Sequence, residues 1–169
     1  ISEMNLERIL STIGCFLFII SIGFGQQKST TDAKIASVFF IGEDEKNYEK
    51  LVEKYNTMLF AVCSNDMELA FDHWSVLLKD IEDYANKSNI DIKGVKLWLN
   101  IFWAKDGKID HIVFYPKPNS KNMNYDSVKA MFRGFIATYQ SPLKHTTGFS
   151  HYGSAAFPVF SRAILGPDK

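Results

Sequence analysis

Val95-Lys96-Leu97-Trp98-Leu99-Asn100-Ile101-Phe102-Trp103 runs into Ala104-Lys105-Asp106-Gly107-Lys108, and then into Ile109-Asp110-His111-Ile112-Val113-Phe114-Tyr115-Pro116. Alternation of period two on both sides of an Asp-Gly pair predicts an antiparallel hairpin. With Asp106 and Gly107 as a two-residue type I′ loop, both central residues take positive φ. The register is then Trp103 opposite Asp110, Ile101 opposite Ile112 and Leu99 opposite Phe114. One face of this ribbon is almost wholly apolar and has to be covered. The other carries Trp98, Asn100 and Phe102 against Tyr115, Val113 and His111. That second face is amphipathic and aromatic, and it is either covered by the upstream helical hairpin or offered to a partner.

Downstream, Pro116-Lys117-Pro118 ends the second strand, because proline cannot donate to a ladder. A helix is predicted from near Asn124, with Tyr125, Val128, Met131, Phe132, Phe135, Ile136 and Tyr139 on one face, closing at Ser141-Pro142. Lys144 to Gly153 reads as a polar loop, and Ala155 to Ser161 as a last strand. Upstream, Tyr48, Leu51, Val52, Tyr55, Met58, Leu59 and Val62 fall on one helical stripe. Ser64-Asn65-Asp66 interrupts it, with Asn65 and Glu68 placed as a capping box. A second stripe then runs from Met67 through Phe71, Trp74, Leu78 and Ile81 to Ala85. The expected class is α+β: a helical hairpin over 45–93, then a ββαβ module with a small antiparallel sheet over 94–169. Residues 45–169 form one globular unit in this reading, after a polar lead-in and a short apolar segment over 26–44.

Arg8, the apolar run Ile9 to Ile22 and the small residues Gly23 and Gly25 have the layout of a secretory signal peptide spanning 1–25. The apolar run is short for a membrane span, so no span is expected after cleavage. Cys15 lies inside the run, where a lipidated cysteine would follow it. Beyond the signal only Cys63 remains, which leaves no intrachain disulfide for an exported chain. Lys and Arg number 19 against 19 Asp and Glu among 169 residues. A neutral chain lacks the basic field that nucleic acid requires, and no nucleic-acid partner is expected.

The hairpin Leu97-x-Leu99-x-Ile101 with Asp106-Gly107 and Ile109, Ile112 and Phe114, the helix Tyr125 to Tyr139, the exit Tyr139-Gln140-Ser141-Pro142 and a final strand Ala156 to Ile164 resemble the C-terminal domain of the TonB family. The resemblance covers Val95 to Ile164, and the chain is also similar to exported proteins of Bacteroidetes-type bacteria. It implies a fold and a cell-envelope setting, periplasmic or extracellular. It does not carry over the energy-coupling role.

Chemistry is sparse. Gly148-Phe149-Ser150-His151-Tyr152-Gly153 departs from a nucleophile elbow, since its second glycine falls one position late and a helix precedes it. His73, His111, His145 and His151 show no zinc-ligand spacing, and no phosphate loop occurs. Asp110 and His111 point to opposite faces if the alternation is regular. No catalytic residue, cofactor or metal is therefore assigned. The candidate binding surface comprises Trp98, Phe102, His111, Tyr115, His151 and Tyr152. The expected function is non-enzymatic: capture of an envelope protein or peptide through a sheet edge, with the Ala156 to Ser161 strand or the loop 144–154 as the contact. The alternatives are a small secreted hydrolase using Ser150 or His151, and a periplasmic ligand carrier with its pocket between the helix 66–86 and the sheet.

Overall fold

The switch from helical to alternating period is carried into the folded chain. A computed structural model describes residues 34–160, and from Ile35 these belong to one unit. Its elements run β1 (Val38–Phe40), α1 (Glu45–Lys54), β2 (Thr57–Met58), α2 (Leu59–Val62), α3 (Met67–Lys87), β3 (Lys96–Trp103), β4 (Ile109–Pro116), α4 (Tyr125–Thr138) and β5 (Phe149–Ala156). The class is α+β. The expected signal segment 1–25, residues 26–33 of the lead-in and Ser161 lie outside the described residues.

One mixed sheet has the strand order β1-β4-β3-β5-β2. The short strands β1 and β2 pair in parallel with β4 and β5, and the three central strands are antiparallel. Leu99 faces Phe114 and Ile101 faces Ile112, as the alternation requires. The turn differs from the expectation. Gly107 N–H donates to the Ala104 carbonyl at 3.0 Å and Ala104 N–H to the Lys108 carbonyl at 2.8 Å. Of the two expected positive-φ residues only Gly107 has one, at 88°. This is a three-residue loop, a type I turn closed by a left-handed glycine. The register slips by one after Phe102–His111, so Trp103 pairs with Ile109 and Asp110 is the extra residue of a bulge.

The leucine-bearing face of the hairpin is the core. Leu97, Leu99, Ile101, Ile112 and Phe114 pack against Trp74, Leu77 and Ile81 of α3 and against Val128, Met131, Phe132 and Phe135 of α4. On the far face, Leu51 and Tyr55 cover Phe102, Val113 and Phe39. The helices α1 and α3 thus bury their apolar sides against opposite faces of the sheet, so the expected helical hairpin is split across it. This explains why the stripe 45–62 is not one helix. Leu51 and Tyr55 serve the far face while Leu59 and Cys63 serve the core, and a straight helix cannot round a sheet edge. The chain turns at Tyr55, lays Thr57–Met58 along β5 and re-enters as the single turn α2.

Two further expectations are corrected. Asp66, not Asn65, caps α3, its carboxylate accepting from Leu69 N–H at 3.0 Å. Ser64 and Asn65 instead take left-handed φ values of 59° and 61°, which brings Asp66 to the cap position. The last strand is Phe149–Ala156, most of which reads as loop in the sequence; Phe157 still bonds to Gly94 and Val95, and residues 158–160 run on outside the sheet. Phe149, His151, Gly153 and Ala155 alternate toward the core side, and Pro158 cannot continue the ladder.

Candidate functional site

The sheet brings together five of the six residues singled out in the sequence. Trp98, Phe102, His111, Tyr115 and Tyr152 share the far face, since Trp98 lies opposite Tyr115, Phe102 opposite His111 and Asn100 opposite Tyr152. His151, next to Tyr152, points to the core side and packs on Trp74, with ring centroids 4.6 Å apart. The short helix α1 covers only part of the far face. Phe102 is fully buried beneath it, whereas Trp98, Tyr115 and Tyr152 remain 36%, 47% and 50% exposed. The aromatic rings are engaged with one another. Trp98 stacks on Tyr152 at 5.6 Å and carries the Lys117 ammonium 3.9 Å over its ring, while Tyr115 meets Phe40 at 5.2 Å. Beneath them, Asn100 is buried and donates to the Tyr48 hydroxyl at 3.2 Å, and its Oδ1 has no protein partner.

The titratable groups here are tied to their neighbours. The bulge turns Asp110 toward the His111 side, against the regular alternation, and its carboxylate accepts from the Tyr55 hydroxyl at 2.7 Å. Burial, followed by that hydrogen bond, raises the Tyr55 pKa. His111 Nδ1 donates to the Ala36 carbonyl at 2.9 Å, and burial lowers the imidazole pKa, keeping the ring neutral. Burial lowers that of His151 as well. Ser150 Oγ donates to the Tyr55 carbonyl at 2.8 Å on the far face, while His151 lies on the other. The two residues of the hydrolase alternative are therefore separated by the sheet itself. Among the described residues no group of three or more His, Cys, Asp or Glu is placed to hold a metal ion.

A backbone feature that side-chain motifs in the sequence do not signal lies beside these residues. Phe157 N–H donates to the Val95 carbonyl at 3.0 Å and Gly94 N–H to the Phe157 carbonyl at 2.8 Å. Odd-numbered residues of β5 therefore direct their backbone groups at β3, and even-numbered ones direct theirs away. On that outer side β2 matches only Phe149 and Ser150. From Tyr152 to Ala156 no strand lies there among the described residues. The Ser154 carbonyl takes the Trp74 indole N–H at 3.3 Å. The opposite border of the sheet is treated differently: β1 spans three residues, and its Phe40 N–H is capped by Glu43 at 3.2 Å, itself held by Lys129 at 3.0 Å. Such blunting is how natural sheets suppress strand addition. β5 has little of it.

Alongside the open edge, on the core side, runs an apolar groove of about 470 Å³ between α3 and β5, walled by Phe71, Trp74, Leu78, His151, Pro158 and Phe160. Gly153 makes the close approach possible, because a Cβ there would meet the Trp74 ring at 2.8 Å. The buried carboxylate of Glu82 accepts from Val159 N–H at 3.2 Å and pairs with Lys79 at 2.8 Å, folding the segment after β5 across one end of the groove. The sequence signals are present but weak: Phe71 lies on the apolar stripe of the helix yet is 61% exposed, and Gly153 falls in a stretch that reads as a polar loop. Comparison of the chain with protein-family models, with curated proteins and with solved structures gives no match.

Proposed function

We propose that this is an exported cell-envelope module that captures an extended peptide or protein segment along the outer edge of β5. The observation that carries this reading is the stretch Tyr152–Ala156, along whose outer side no strand lies among the described residues and where only the Ser154 carbonyl is engaged, by Trp74, bordered by the α3–β5 groove. A strand added there gains main-chain hydrogen bonds from the edge, and specificity from alternate side chains seated in the groove. The corrected strand moves the contact from Ala156–Ser161 to 152–156. Export is supported by the Arg8 to Gly25 pattern, and the envelope setting by the TonB-like hairpin and helix; the final strand of that resemblance, Ala156 to Ile164, is not matched by β5. No helix among the described residues is long and apolar enough to cross a membrane.

The test exploits the direction of one N–H. Ser154 N–H points away from β3, so Ser154→Pro removes an edge donor, together with the Oγ that accepts from Lys117, and leaves the central ladder intact, with Ser154→Ala as the control that removes the Oγ alone. Heptapeptides selected from a random displayed library on the full chain should bind Ser154→Pro at least about tenfold more weakly, the loss of one or two edge hydrogen bonds. The melting temperature should stay near that of the parent. Equal binding by both proteins contradicts the proposal.

The carrier reading keeps one supporting observation, since the groove volume lies in the range of small-molecule sites, roughly 300–1,000 Å³. A small molecule retained in native mass spectrometry and displaced by none of the selected peptides would favour it.

A further inference from the structure

A strand laid along β5 sits about 4.8 Å from it, with side chains alternating between the two faces of the sheet. On the α3 side they enter the apolar groove. On the other side they rise beside Tyr152 and Ser154, where the nearest charge is Lys117. Its ammonium donates to Ser154 Oγ at 2.6 Å, lies over the Trp98 ring, and has no carboxylate partner among the described residues. Lys96, opposite Ala156, adds a second cation to the same end of the edge.

This charge argues against a second copy as the occupant. An antiparallel self-pairing centred on Ser154 would bring the two Lys117 ammonium groups together across the two-fold axis, and like charges opposed across strands destabilise the pair. On the reading of β5 as a docking edge, we infer that its partner is a foreign strand in which apolar side chains alternate with carboxylates, the apolar ones seated in the α3–β5 groove and a carboxylate set against Lys117. A peptide of that pattern is amphipathic in the sense of a strand, and the protein selects it by charge on one face and by apolar fit on the other.

Two capped synthetic heptapeptides, one alternating Leu with Glu and the other Leu with Lys, test this on the full chain by fluorescence anisotropy. The acidic peptide should bind about fivefold more tightly, the scale of an exposed ion pair, and the margin should shrink as salt is raised. Lys117→Gln should remove the preference and Lys117→Glu should invert it. Equal binding of the two peptides, with both weakened by Ser154→Pro, overturns the charge assignment and leaves the docking edge standing. Binding that Ser154→Pro does not touch overturns the docking edge itself. If neither peptide binds, the alternating pattern is wrong. Concentration-dependent dimerisation that Ser154→Pro abolishes would make a second copy the occupant and contradict the inference.

Discussion

Replacing Gly107 by valine lowers the free energy of unfolding by about 4 kcal/mol, measured by urea denaturation, the sum of a left-handed backbone penalty and an overpacking term. Gly107 has φ 88°, and a Cβ built on it would lie 2.5 Å from the Leu143 carbonyl oxygen and 2.7 Å from that of Ser141. These are backbone atoms and cannot rotate away. The tip of the hairpin is docked into the segment that follows α4: Ser141 N–H donates to the Gly107 carbonyl at 3.0 Å, Gln140 Nε2 to the Asp106 carbonyl at 2.8 Å, and His145 N–H to the Lys105 carbonyl at 3.0 Å. A larger residue at 107 therefore strains the turn and lifts the tip from its seat. Gly42 supplies the control, because it has φ 101° with no atom within 4 Å of a built Cβ. Gly42→Ala should cost only the backbone share, about 1 kcal/mol, and Gly107→Ala distinctly more. Similar losses at the two positions would show that the tip is not held as described.

Phe114→Ala costs a similar amount, about 4 kcal/mol, in the range of large-to-small changes at aromatic core positions. Phe114 is fully buried at the centre of the core. Its ring meets Phe40 of β1 at 5.8 Å and Phe132 of α4 at 5.6 Å, and its carbonyl accepts from Ile41 N–H at 3.0 Å. Losing the ring loosens the hairpin, the parallel strand β1 and the covering helix together. One residue further on, Tyr115→Ala should cost about 1 kcal/mol or less, because that side chain stands half-exposed on the far face. The contrast between neighbours tests the face assignment, since a slip of one residue would exchange the two values.

These two sites belong to the part of the fold that is legible from sequence. The pairing of Ile101 with Ile112, the apolar side of the hairpin and its cover by the helix after Asn124 follow from local period and from the need to bury one face. The stripe from Tyr48 to Val62 misleads because helical spacing does not tell which face of a sheet each residue serves. Leu51 and Leu59 are both buried, but on opposite sides. β5 misleads for another reason. Its far-face residues Ser150, Tyr152 and Ser154 are polar or half-exposed and its core side includes Gly153, so the alternation is faint. The Asp110 bulge leaves no local mark at all.

The candidate site divides the same way. Trp98 and Tyr115 fall on one surface from the hairpin register alone, whereas Tyr152 joins them only through the pairing of β5 with β3. The open edge could not, because it arises from a non-local pairing: β2 stops after two residues while β5 continues. The groove likewise depends on Trp74 meeting Gly153 from an element many residues away.

Residue-resolved amide hydrogen exchange on the free full-length chain tests the docking edge most directly. His151, Gly153 and Ala155 should be strongly protected, and Tyr152, Ser154 and Ala156 should exchange orders of magnitude faster, gaining protection when a selected peptide is added. Uniform slow exchange from 151 to 156 before any peptide is present would mean that the outer side of β5 is already occupied, and would contradict the account.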